Sequence, residues 1–138
     1  MNQYYPHLFE PFTIKKTTFR NHIFSAPNMM CHMDANGFPT DYMIAYYAEK
    51  AKGGAAVVTV GDTPVDHEHA PSNPRSFNLS YEALPFISEL AMAIKSHGAL
   101  ASLELNHGGL YNPPEAMGGR NPIGPVSFVR SWDGVEVI

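Results

Sequence analysis

Apolar residues gather in three short runs, and each run ends in a polar cluster. The runs are His22-Ile23-Phe24-Ser25-Ala26-Pro27, Ala55-Ala56-Val57-Val58-Thr59-Val60-Gly61 and Ala99-Leu100-Ala101-Ser102-Leu103-Glu104-Leu105. They lead into Asn28-Met29-Met30-Cys31-His32, Asp62-Thr63-Pro64 and Asn106-His107-Gly108-Gly109. The second run lacks polar alternation, which predicts a parallel strand covered on both faces. Strand one is expected over about residues 22–27, stopped by Pro27, and strand three over about 99–105.

Two helical stretches separate the runs. Ile44, Tyr47, Ala48 and Ala51 recur at helical spacing, with Thr40 as cap, Asp41 near the positive end and Gly53-Gly54 as stop. Ile87, Leu90, Ala91 and Ile94 form the second stripe, closed by Gly98. Ser80 can cap that helix, or it starts nearer Pro85, which suits a first helical turn. The order is βαβαβ, with the distinctive residues at the carboxyl ends of the strands. Ligands of parallel α/β proteins bind at that edge.

Residues 1–21 read as an N-terminal extension, in which Phe12-Thr13-Ile14 and a Lys15-Lys16 turn allow a hairpin. The stretch 111–138 is loop-rich, and Tyr111 to Arg130, with four prolines and three glycines, reads as loop rather than core. Strands spaced about 30–45 residues apart fit βα units with right-handed crossovers. Such units open either a doubly wound sheet or a closed (β/α)8 barrel. A barrel takes ~250 residues, and the chain has 138. The barrel reading therefore makes it the N-terminal portion, about three βα units, of a TIM barrel that is incomplete in this chain, with exposed sheet edges.

Hydrophobic residues make up 44% of the chain, a globular composition, and the net charge is −4 with seven neutral histidines. That balance argues against a general nucleic-acid or anionic-membrane binder. The N-terminus has neither the basic nor the apolar region of a signal peptide, and no apolar run reaches the ~18–20 residues that span a bilayer. Cys31 is the single cysteine, so no internal disulfide forms, and a cytoplasmic setting is expected. Its thiol is expected to be buried or half-buried. Asp66-His67-Glu68-His69 contains a His-x-His pair but no third ligand at fixed spacing, so it reads as solvated loop and no metal is assigned.

The strand ends combine backbone amides, a glycine, a carboxylate on an otherwise apolar strand and a histidine. Several segments in their order and spacing resemble the N-terminal part of the old yellow enzyme family, on the branch of NADH:flavin oxidoreductases and 2,4-dienoyl-CoA reductases. They are Leu8-Phe9-Glu10-Pro11-Phe12-Thr13-Ile14, Asn21 to Met29, and Asp34 to Thr40 followed by Tyr46 to Gly54. Leu103-Glu104-Leu105-Asn106-His107-Gly108-Gly109 and Pro122-Ile123-Gly124-Pro125-Val126-Ser127 complete the set. The resemblance covers about residues 8–128 and makes residues 1–138 the N-terminal part of a single FMN-binding TIM-barrel domain.

The resemblance implies FMN as cofactor, NAD(P)H as reductant and a small-molecule substrate with an activated C=C bond. Ala26, Pro27, Asn28 and Met29 match the segment that lies against the flavin ring. Gly61, with Asp62 beside it, matches the position after strand two. The family motif Gln-Leu-x-His-Ala-Gly-Arg places a glutamine on the flavin pyrimidine edge. Here Glu104 stands at that position, Gly108-Gly109-Leu110 replaces Ala-Gly-Arg, and His107 is a candidate substrate contact. An ionised glutamate accepts from flavin N3–H but cannot donate to a carbonyl.

The family's proton donor, substrate-anchoring pair and phosphate-binding segments belong to later strands, so no catalytic residue is assigned. The chain alone is expected to be an inactive fragment. The alternative is a non-catalytic barrel fragment that associates with another chain, as a homo-oligomer or with a barrel-completing partner. A barrel aldolase or lyase would want a strand-end lysine, which none of the three strands carries.

Overall fold

The structure is a computed structural model that describes residues 4–69, 71 and 77–138. Alternating residues around Lys15-Lys16 pair antiparallel as β1 (Phe12–Ile14) and β2 (Thr17–Phe19), with Lys15 turning at φ 55°. Thr13 and Thr18 hydrogen-bond across the pair at 3.0 Å. Phe12 and Phe19 stack at 4.8 Å, and Phe24 stacks on Phe19 at 5.3 Å. The hairpin is thereby packed onto the start of the first long strand.

A three-stranded parallel sheet follows, formed by β3 (Phe24–Asn28), β4 (Val57–Pro64) and β5 (Leu100–Asn106), with β4 in the middle. Phe24 pairs with Val57 and Val57 with Leu100. The strands are joined through α1 (Asp41–Lys52) and α2 (Leu84–Ser96). The central strand's side chains are buried or half-buried throughout, as its unbroken apolar run requires.

The hydroxyl of Thr40 accepts from Met43 N–H at 3.4 Å and caps α1. α1 buries Tyr47 and Ala51 of the expected stripe together with Met43, which lies outside it, while Ile44 and Ala48 are half-buried. α2 starts at Leu84 with Pro85 in its first turn, so of the two expected starts the later one holds. Ser80 precedes a separate turn at Tyr81–Ala83 and does not cap α2. Leu90 and Ile94 are buried. These residues join Val58 and Val60 of β4 in one core between the helices and the sheet.

Arg20, in the segment read as an extension, ties the far ends of both helices. Its guanidinium donates to the carbonyls of Ala51 and His97 at 2.6 Å each and of Ala55 at 2.7 Å. Ala51 lies in the last turn of α1, where its carbonyl also accepts from Gly54 N–H at 3.0 Å, and His97 directly follows α2.

Beyond β5 the backbone is irregular, as expected, but it is not merely loop. Single turns at Gly109–Tyr111 and Pro114–Met117 precede an antiparallel pair, β6 (Phe128–Val129) and β7 (Glu136–Val137). Asn112, Met117, Arg130 and Val137 are buried here, so the reading of Tyr111 to Arg130 as loop rather than core is corrected. Arg130, only 3% exposed, donates to the carbonyls of Leu110 at 2.9 Å and Asn112 at 3.1 Å and pairs with Asp133. A charged side chain that gathers carbonyls organises this segment, and apolar periodicity carries no trace of that. No helix among the described residues is long and apolar enough to cross a membrane.

Candidate functional site

The ends of β3 and β4 are both irregular, with register shifts between Ser25 and Asn28 and between Val60 and Thr63. Gly61 explains the close fit. A Cβ at that position would lie 2.6 Å from Asn28 N and 2.9 Å from the carbonyl carbon of Pro27. The backbone of β3 thus takes up the room that the missing side chain of Gly61 leaves.

Asp62 follows in the left-handed region at φ 54°. Its N–H donates to Glu104 Oε2 at 3.1 Å, and its carboxylate accepts from the Asn106 amide. Gly61 thus joins β3 to β4, and Asp62 joins β4 to β5.

Helix α1 supplies a further brace. The Tyr46 hydroxyl donates to Asn28 Oδ1 at 2.8 Å, and the Tyr47 hydroxyl donates to the Asn28 carbonyl at 2.5 Å. Burial pushes the Tyr47 phenol above its ordinary value, outweighing backbone hydrogen bonds that act the other way. The expected apolar stripe of α1 includes Tyr47 but not Tyr46. The signal available was two consecutive aromatics, only one of which fits the apolar stripe.

Ala26, Pro27, Asn28, Glu104 and His107 are all exposed around this edge, while Gly61 is buried. Met29 is half-buried and packs with Met30 against the core. Cys31 is exposed, contrary to expectation, because these two methionines take the core-facing places of the loop.

Gly109 N–H donates to His107 Nδ1 at 3.0 Å. In the neutral ring the proton is then on Nε2, which is left as a hydrogen-bond donor. Gly108, where the family pattern has alanine, also has a local reason. The Asn112 side-chain amide occupies the space a Cβ would need, and it donates to the His69 carbonyl at 2.7 Å.

The Asp66–His69 segment is internally bonded. His69 Nδ1 lies 2.9 Å from Asp66 Oδ2, and His67 Nε2 accepts from Leu79 N–H at 3.0 Å. Among the described residues no three such side chains converge as metal ligands. Part of the loop that follows, residues 70 and 72–76, lies outside the described residues.

The arrangement suits one face and one edge of a flat heterocycle. Ala26, Pro27 and Met29 offer apolar surface, and Glu104 an acceptor for a ring N–H. Thr63 Oγ1 and Asn106 Oδ1, at the same strand ends, are buried with no partner among the described residues. Orphaned polar groups are costly, and a polar ligand or an added strand at this edge would satisfy them. Parallel strands whose carboxyl ends carry such a set define a ligand-binding edge of the parallel α/β type.

Residues 7–131 match the NADH:flavin oxidoreductase / NADH oxidase family, and the chain belongs to that family. The family's cofactor is FMN and its reductant NAD(P)H. The chain is 32% identical over 104 residues to the N,N-dimethylglycine/sarcosine dehydrogenase of Chromohalobacter salexigens, which covers 74% of the chain and 15% of that protein. It is 31% identical over 127 residues to a probable NADH-dependent flavin oxidoreductase, YqiG, of Bacillus subtilis, covering 91% of the chain and 34% of that protein. A solved 2-naphthoyl-CoA reductase superposes with a TM-score of 0.86 at 24% identity, covering 97% of this chain and 22% of that one. The chain therefore spans 15–34% of these relatives' lengths, and its solved neighbours are TIM-barrel enzymes.

Proposed function

We propose that this chain supplies the first three βα units of an FMN-binding barrel that passes hydride from NAD(P)H to an activated C=C bond of a small molecule. The observation that carries the reading is the joining of three strand ends into one cluster, through the Gly61–Asn28 contact and the Asp62–Glu104 hydrogen bond. Residues that the family resemblance assigns separately to the flavin are neighbours in space.

When bound, FMN supplies the hydride chemistry, and the protein positions and tunes it. Ala26, Pro27, Asn28 and Met29 would lie against the ring, with Gly61 keeping β3 and β4 close enough to form that floor. Glu104 would accept a hydrogen bond at the pyrimidine edge. His107, with its proton held on Nε2, would donate to a polar group of the substrate. The acid that completes the reduction is assigned to strands beyond β5.

The test is a titration of the protein with FMN. Expected is a saturable shift of the flavin visible spectrum, with no NADH-dependent alkene reduction by these residues alone.

A second reading has its own observation. Among the described residues β3 and β5 each have one sheet neighbour, and an apolar groove lined by Ile87, Ala91, Ala101 and Leu103 runs beside β5. Such edges favour pairing with another chain. An unaltered flavin spectrum together with a multimer in sedimentation would support association without catalysis.

A further inference from the structure

We propose that Asp62 is a positioning residue, which holds Glu104 as a fixed hydrogen-bond acceptor and so builds an acidic flavin edge that favours oxidised over reduced FMN. The inference rests on the flavin reading above and adds to it how this chain's own residues tune the cofactor.

The geometry begins with the backbone. Asp62 sits at φ 54°, a conformation that aspartate and asparagine enter more readily than other side-chain-bearing residues. It occupies the register shift of β4, and there its N–H reaches Glu104 Oε2 at 3.1 Å. Its carboxylate receives the Asn106 side-chain amide. A carboxylate only accepts, so this contact orients Asn106 with its nitrogen toward Asp62, leaving Asn106 Oδ1 buried without a partner among the described residues. Glu104 is thereby held through Oε2.

The chemical consequence follows from charge. Two-electron, one-proton reduction of FMN leaves an extra negative charge on the ring. A glutamine at position 104 could present its amide N–H to that charge. Glu104 cannot donate when ionised, and it adds a like charge, with the Asp62 carboxylate close behind. Oxidised FMN, which offers N3–H, loses nothing by the exchange of glutamine for glutamate at that atom.

The experiment has two arms. In the first, without flavin, amide hydrogen exchange is followed at Asp62. Exchange is expected to quicken at least tenfold in Glu104→Ala and in Asp62→Val, a β-branched residue ill suited to positive φ, and to stay slow in Asp62→Asn. An unchanged rate in Glu104→Ala would overturn the positioning role.

In the second arm, oxidised FMN and dithionite-reduced FMN are titrated separately into wild type, Glu104→Gln and Asp62→Asn. Both variants should bind oxidised FMN at least as tightly as wild type. In both, the ratio of reduced to oxidised Kd should fall about tenfold, equivalent to a rise of ~30 mV for a two-electron couple. Equal ratios in all three proteins would refute the acidic-edge tuning while leaving the flavin reading intact. Absence of binding by wild type and Glu104→Gln alike would sink the flavin reading and the tuning with it, and the first arm would decide the positioning role alone.

Discussion

Gly61 shows how one residue's meaning depends on what lies opposite it. A glycine closing an apolar strand is visible in the sequence, and a ligand is one reason for it. The structure supplies another, since backbone atoms of Pro27 and Asn28 stand within 3 Å of the missing Cβ. Gly61 has no positive φ to explain it, so the requirement is room alone. Gly61→Ala should therefore overpack the β3–β4 contact and cost about 1–3 kcal/mol, read as a lower urea midpoint with an unchanged slope. A variant as stable as wild type would mean that β3 can move aside. Glu104 is the converse case. Its departure from the family motif is plain in the sequence, yet its partner, Asp62 N–H, lies 42 positions away and depends on a backbone twist that an aspartate permits but does not announce.

At the scale of elements, the caps and stripes were readable because their causes are local. Thr40 bonds a residue three positions on, and Leu90 and Ile94 are one helical turn apart. Arg20 was not readable, because the carbonyls it serves are 31, 35 and 77 positions away. Its planar fork reaches three acceptors from one place, which a lysine ammonium cannot reproduce. Arg20→Lys should lower unfolding free energy by about 2–3 kcal/mol, with faster amide exchange in the last turns of α1 and α2. Equal protection in the variant would show that solvent serves those carbonyls as well. Arg130 plays a comparable part after β5, and it too escaped a reading based on apolar periodicity.

For the molecule as a whole, the groups with displaced titration set a pH window for stability. Desolvation of its ring, opposed by nearby Asp66, holds His67 below its ordinary value of 6.5. The unfolded chain then binds more protons, so this contribution is present above pH 6.5 and is lost as pH falls through the depressed folded value. Protonation would also remove the lone pair that accepts Leu79 N–H. The hydrogen bond from His69, aided by backbone N–H groups, holds the Asp66 carboxyl below its usual range, which adds a second loss at more acid pH. Tyr47 acts at the other end. Its raised value makes its contribution full below pH 10.0 and lost as pH rises beyond that. Urea midpoints should accordingly be flat between about pH 6.5 and 10 and fall on both sides. His67→Gln should remove the first acid step, and a fall of unchanged size in that variant would assign the step elsewhere.

The amino-acid sequence by itself determined the alternation of strands and helices, the Thr40 cap of α1, and the edge of the sheet at which chemistry-bearing residues collect. Those properties follow from periodicity and from contacts a few residues long. Tertiary structure alone decided that Gly61 serves a neighbouring strand, that Asp62 grips Glu104, that Tyr46 and Tyr47 brace Asn28, and that Arg130 gives the irregular segment a core. Each of these joins groups 18 or more residues apart through backbone position, and backbone position exists only once the chain has folded.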